Sequence, residues 1–179
     1  MVNKGKIILL NGASSAGKSS IASEIQRQIE HPFWHVSSDQ LIAAKILPPR
    51  DFEGGRFAWK SMRENFFGGF HNCLPALARA GNNLVVDHVI EFETWLKDLN
   101  VLLADFDLFF VGVHCDIGEL ERREIARKDR TIGEARDHFE VVHTFCHYDY
   151  EVDSTILTPA VNARNIIHAW KKRNRGSIL

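Results

Sequence analysis

Residues 6–20 read Lys6-Ile7-Ile8-Leu9-Leu10-Asn11-Gly12-Ala13-Ser14-Ser15-Ala16-Gly17-Lys18-Ser19-Ser20, an apolar run followed by a segment of the form G-x-x-x-x-G-K-[ST]. Ile21, Ile25 and Ile29 recur at spacings of four behind it, the stripe of a helix that packs one face on a sheet. Strand, glycine-bounded loop and amphipathic helix in that order form a phosphate-binding loop. The glycines let the backbone curl until successive N–H groups point inward, and the helix adds its unpaired N–H groups and positive dipole end. Lys18 is placed to reach the β- and γ-phosphates, and Ser19 offers the hard hydroxyl oxygen that Mg2+ prefers. The expected nucleotide-binding set is Gly12, Ala13, Ser14, Ser15, Ala16, Gly17, Lys18, Ser19 and Ser20, with ATP as phosphoryl donor.

Outward from this loop, short apolar runs alternate with helical patterns, the sequence form of repeated βαβ units around a buried parallel sheet. Strands are expected at residues 6–11, 33–37, 83–87, 108–115 and 154–157. Pro32 ends the first helix. Trp59, Met62, Phe66, Phe70, Leu74 and Leu77 form a second helical stripe. Gly68 and Gly69 interrupt it, each at a cost of about 1 kcal/mol relative to Ala, so a kink or a close approach is expected there. Residues 47–56, with two prolines and two glycines, read as a loop.

The chain has 179 residues, enough for one domain spanning 1–179, and 45% hydrophobic with 25% charged residues is an ordinary globular composition. Twenty-two basic against 23 acidic residues leave a net charge of −1, so no global positive field exists to hold nucleic acid or an anionic membrane. A small-molecule partner fits better. Cys73, Cys115 and Cys146 are too far apart for a zinc or disulfide framework and read as reduced thiols. The apolar start is too short for a membrane span or a secretory signal, which makes the cytoplasm the expected location.

Asp39 follows the second strand and so emerges at the carboxyl edge of the sheet, beside the phosphate loop. There it can take the proton of an attacking hydroxyl, as a kinase base does, or it can cap the helical run that begins at Gln40. Asp87 ends Leu84-Val85-Val86 and fits a carboxylate that supports Mg2+ together with Ser19, or a buried strand-end aspartate. Arg122, Arg123, Arg127 and Arg130 follow the fourth strand. They suit a solvated helix with ion pairs such as Glu119 to Arg123, or a lid over residues 120–137 that neutralises a transferring phosphoryl group. His143 and His147 stand four apart but lack the interposed glutamate of a zinc-hydrolase helix. The basic run 171–175 reads as the frayed, solvated end of a helix.

With these residues in view the chain resembles the chloramphenicol phosphotransferase family, small P-loop kinases that phosphorylate the drug's primary hydroxyl in antibiotic resistance. The resemblance runs nearly end to end. It includes the phosphate loop, Ser38-Asp39-Gln40-Leu41-Ile42, Ala78-Arg79-Ala80-Gly81 and the strand ending at Asp87. Its most specific parts are Val111-Gly112-Val113-His114-Cys115-Asp116, the run Arg123 to Arg130, Val141-Val142-His143 and the segment Tyr148 to Thr155. It implies Asp39 as the base acting on the acceptor hydroxyl and Arg127 with Arg130 as the phosphate-binding lid. Residues 44–70 depart from the family, within the region 39–75 expected to supply the acceptor pocket, and His88 stands where a second acidic residue is expected.

The resulting expectation is a three-layer α/β P-loop kinase fold with a five-stranded parallel sheet, right-handed crossovers and strand order 2-3-1-4-5. Asp39, Lys18, Arg127 and Arg130 are the catalytic candidates, Ser19 and Asp87 the metal candidates. The reaction is transfer from Mg·ATP to a small-molecule hydroxyl. The same residues also suit a metabolite alcohol or a nucleoside as acceptor, or a nucleotide-binding regulator with no acceptor.

Overall fold

The computed structural model describes residues 3–48, 55, 57–127 and 132–173. Its elements run β1 (Ile7–Asn11), α1 (Lys18–Gln28), β2 (Phe33–Ser37), α2 (Ser38–Ala43), α3 (Trp59–Arg79), β3 (Asn83–His88), α4 (Glu93–Leu103), β4 (Leu108–His114), α5 (Ile117–Arg127), α6 (Glu134–Val141), β5 (Tyr150–Asp153) and α7 (Pro159–Arg173). The strands form one parallel sheet in the order β2-β3-β1-β4-β5. The strand order is the expected one. Every residue of β1 is buried, as the central strand of a sheet covered on both faces requires.

Strand alternation divides the core in two. Ile8, Leu10, Val85, Val111 and Val113 point to one face, where Ile21 and Ile25 of α1 and Ile166 and Trp170 of α7 cover them. Ile7, Leu9, Leu84, Val86 and Phe110 point to the other, against Phe70 and Leu74 of α3 and Leu96 and Leu99 of α4. Both helical stripes read from the sequence therefore meet the sheet from opposite sides. The carboxyl ends of β1, β2, β3 and β4 leave Asn11, Ser37, His88 and His114 at one edge, and the functional residues gather there.

Three expectations need correction. The fifth strand is Tyr150–Asp153 rather than 154–157, paired in register from Val111↔Tyr150 to His114↔Asp153. At this sheet edge only Val152 is buried, so Glu151 and Asp153 hide the strand. Ile156 and Leu157, which suggested it, are exposed in the turn where the Thr155 N–H donates to Asp153 Oδ1 at 2.7 Å. Of the basic run 171–175, residues 174 and 175 lie outside the described residues, and 171–173 are tied down rather than frayed: Lys171 bonds Glu30 at 2.7 Å, and Arg173 donates to the Leu108 carbonyl and to Asp107. Finally, α3 runs unbroken for 21 residues through Gly68 and Gly69, and a Cβ added at either glycine meets nothing within 4 Å. Neither glycine serves a close approach, and neither has a positive φ. Gly68→Ala and Gly69→Ala are each expected to stabilise the protein by about 1 kcal/mol through helix propensity, read as a rise in the thermal midpoint. An unchanged or lower midpoint would contradict the propensity argument.

Candidate active site

The phosphate loop leaves β1 at Gly12, where a Cβ would sit 2.4 Å from the carbonyl oxygen of Val113 in β4. Only glycine lets the loop pass that close. Ser15 and Gly17 take φ of 64° and 84°, the left-handed turn that gathers the N–H groups of a loop into a concavity. Ser14 and Ser15 are buried, and their hydroxyl oxygens have no hydrogen-bond partner among the described residues. Orphaned hydroxyls in such a turn are what a phosphate would satisfy. Lys18 opens α1 at 6% exposure, and its Nζ donates to the carbonyls of Gly12 and Ala13 at 2.9 and 2.8 Å.

Ser19, next on α1, donates from its hydroxyl to Asp87 Oδ2 at 2.5 Å. Asp87 Oδ1 lies 3.9 Å from Lys18 Nζ, and His35 Nε2 lies 3.6 Å from Oδ2. Burial alone would raise the Asp87 carboxyl, but the His35 ring, the Lys18 ammonium and the Ser19 hydroxyl more than offset it and hold it below its ordinary value. The result is a charged carboxylate fixed under the loop. No group of three or more His, Cys, Asp or Glu side chains able to hold a metal occurs among the described residues. Ser19 and Asp87 by themselves suit an ion that takes its remaining ligands from phosphates and water, the habit of Mg2+.

Asp39 reaches the same place by another route. Ser37 ends β2 and caps α2, its hydroxyl accepting the Asp39 N–H at 3.1 Å. Asp39 therefore lies in the first turn, is not the cap, and is exposed. A cleft of about 490 Å³ brings Asp39 together with Lys18, Ser19, Asp87 and Arg127, while His88 and Val89 form part of its wall. Arg130 lies outside the described residues, as does the middle of the expected lid.

Helix α5 is anchored by a residue the sequence reading left in second place. Arg122 and Arg123 bond Glu119, at 2.7 and 2.6 Å, and hold its carboxyl down to about 2. Arg123 also reaches across to the Ser154 carbonyl at 2.8 Å and to the Ser15 carbonyl at 3.5 Å, so it joins α5 to the phosphate loop and to the end of β5. Arg127, one turn further, is exposed at the rim of the cleft. Buried Glu124 accepts the N–H groups of Gly133 and Ala135 at 2.9 and 2.8 Å, which caps α6 and binds it to α5.

Three further polar side chains organise the edge. Asn11, fully buried at the end of β1, donates to the Val142 carbonyl at 2.8 Å and to Tyr148 Oη at 2.9 Å, and accepts the Ile90 N–H at 2.9 Å. His138 of α6 accepts the Ser14 N–H at 3.4 Å and stands 3.6 Å from Glu91, which pairs with Arg63 at 2.5 Å. Tyr148 packs against Gly112, where a Cβ would sit 2.7 Å from its ring. Of these, Asn11 had a visible signal, a polar residue closing a wholly apolar central strand. His143, considered above with His147 as a metal pair, instead meets Tyr148 Oη at 2.7 Å and stacks on His114.

Burial lowers His71 to about 4, and burial with the neighbouring His114 and Lys18 lowers His143 to about 4. Both are neutral in the fold at pH 5, whereas an unfolded histidine with its ordinary value near 6.5 is charged. The unfolded state then binds more protons, so stability is complete above about pH 6.5 and falls as the pH drops toward 4. Between pH 7 and 5 the loss is on the order of 2 kcal/mol for one deeply buried histidine and less for the partly buried His143. Urea denaturation at the two pH values checks it, and an equal midpoint would contradict it.

A family model described as chloramphenicol phosphotransferase-like protein matches residues 5–171. The chain belongs to this family. Rv2636 of Mycobacterium tuberculosis strain H37Rv, provisionally named an O-phosphotransferase, is 31% identical over 186 residues, 92% of this chain and 81% of that protein. Among solved structures, the APS kinase CysC of Mycobacterium tuberculosis in complex with AMPPNP and APS superposes with a TM-score of 0.70 at 17% identity, over 94% of this chain and 98% of that one. A gluconokinase from Sinorhizobium meliloti superposes with a TM-score of 0.63 at 15% identity, over 98% and 97%. The structural likenesses show the fold, that of P-loop kinases. Family membership makes the chain a phosphotransferase built on it.

Proposed function

We propose that this family member transfers the γ-phosphoryl group of ATP to a hydroxyl of a small molecule, with chloramphenicol the first acceptor to test because the family description names it. The observation that carries the reading is that Asp39 faces the same cleft as Lys18, Ser19 and Asp87. A proton acceptor thus stands across from the nucleotide anchors. Asp39 takes the proton of the acceptor hydroxyl as its oxygen bonds to phosphorus, and the bond from the γ-phosphorus to the bridging oxygen breaks to release ADP. The loop N–H groups and Lys18 neutralise the phosphates, and Arg127, with Arg130, balances the charge that develops on the phosphoryl group. Ser19 and Asp87 would hold Mg2+, which shields phosphate charge when bound. Among the described residues no helix is long and apolar enough to cross a membrane.

The reading is tested by following ADP formation with Mg·ATP in the presence and absence of a hydroxyl panel containing chloramphenicol, nucleosides and polyols. ADP formation that rises with at least one alcohol supports it. Tight ATP binding with no alcohol-dependent turnover across the panel would favour a nucleotide-binding regulator.

A further inference from the structure

His88 occupies the position where the family leads one to expect an acid, and its surroundings give it a different task. It closes β3 beside Asp87, is 2% exposed, and forms part of the cleft wall. Its Nε2 is engaged by His71 Nε2 of α3 at 2.9 Å. Trp95 stacks on its ring at 5.8 Å and 13°, with Phe70 at 5.2 Å and Phe67 at 5.8 Å. The ring is therefore held on one edge and over its faces. Its remaining polar atom, Nδ1, has no hydrogen-bond partner among the described residues. A buried nitrogen without a partner, on a residue that lines the cleft, costs free energy that a ligand group can recover.

We infer that His88 Nδ1 is a hydrogen-bonding contact for the phosphoryl acceptor, and that His71 is the positioning residue that holds it; this rests on the phosphotransfer reading above. Two imidazoles meeting Nε2 to Nε2 share one hydrogen. When His71 donates it, the His88 hydrogen sits on Nδ1, which then donates to a ligand oxygen. When His88 donates it, Nδ1 accepts from a ligand hydroxyl or amide N–H. The pair can thus meet either kind of neutral group. The enclosing Phe67, Phe70 and Trp95 rings make a charged group far more costly to desolvate there than a neutral one. The acceptor class that follows is an alcohol with a second neutral polar group, a hydroxyl, carbonyl or amide, close to the hydroxyl that is phosphorylated.

Two substitutions give opposite answers for recognition and for mere support. His88→Asn places an amide near the position of Nδ1 and gives up the bond to His71, whereas His88→Gln reaches toward His71 and vacates the Nδ1 position. With the best acceptor that the wild-type protein phosphorylates in the panel, His88→Gln is expected to raise the acceptor KM about tenfold or more above that of His88→Asn, with the KM for ATP unchanged in both. Equal acceptor KM values, or the reverse order, would overturn the inference while leaving the phosphotransfer reading intact. A wild-type protein that binds Mg·ATP but phosphorylates nothing in the panel overturns both. Should either variant fail to bind AMP-PNP as the wild type does, nitrogen NMR of histidine-labelled wild type decides. Adding that acceptor with Mg·AMP-PNP should shift the His88 Nδ1 resonance, and an unmoved resonance overturns the inference.

Discussion

Asp39→Asn is expected to lower the rate of phosphoryl transfer by about 10²–10⁴ while leaving the affinity for ATP nearly unchanged. The substitution nearly keeps the size of the side chain and removes its charge and its basicity. Because the Ser37 hydroxyl and not the Asp39 carboxylate caps α2, and because Asp39 is exposed in the first turn, the helix loses none of its capping contacts. Thermal unfolding of the variant should match the wild type to within about 0.5 kcal/mol, the usual range for an exposed site. The rate has to be measured in a single turnover, so that slow product release cannot conceal the chemical step. A folded variant that transfers at the wild-type rate would remove Asp39 from proton transfer.

Lys18→Ala has the other large effect, and it acts on binding. The amine is buried, bonds two carbonyls of its own loop and lies 3.9 Å from Asp87. It is therefore held where the loop would receive the β- and γ-phosphates. Charge-assisted hydrogen bonds are worth about 1.5–3 kcal/mol, so deleting this cation should weaken Mg·ATP about 10–100-fold by calorimetry and slow transfer as well. The substitution also leaves Asp87 buried with one less compensating charge, so Lys18→Met, which keeps the apolar stem, is the control for loss of packing. ATP affinity and turnover equal to the wild type in both variants would exclude the loop from the mechanism.

The parts of the architecture carried by local pattern were legible in the sequence. An apolar run, a glycine-bounded loop and stripes spaced by four residues located β1 and α1, and strand-end aspartates on one carboxyl edge anticipated that Asp39 and Asp87 share a cleft with Lys18. What stayed hidden depends on partners far along the chain. Asn11 is joined to Val142 across 131 positions and Ser14 to His138 across 124, and no local spacing encodes such pairs. Arg123 looked like half of a helical ion pair with Glu119, which it is, but its second role needs β5 and the phosphate loop beside it. The edge strand β5 escaped because only Val152 is buried, so polar residues diluted the alternation. The family-specific stretches around Gly112 and Tyr148 have a physical link: the glycine exists to receive the tyrosine ring, which completes the network around Asn11.

The central claim is that a hydroxyl other than water's receives the γ-phosphoryl group. Phosphorus NMR of the complete reaction, run with Mg·ATP and the alcohol panel, tests it most directly. The expected result is a new phosphate-ester resonance that grows in equal amount with ADP, coupled to protons of the acceptor carbon. ADP accompanied only by inorganic phosphate, or ATP that remains intact with every alcohol supplied while the protein binds it, would contradict the account.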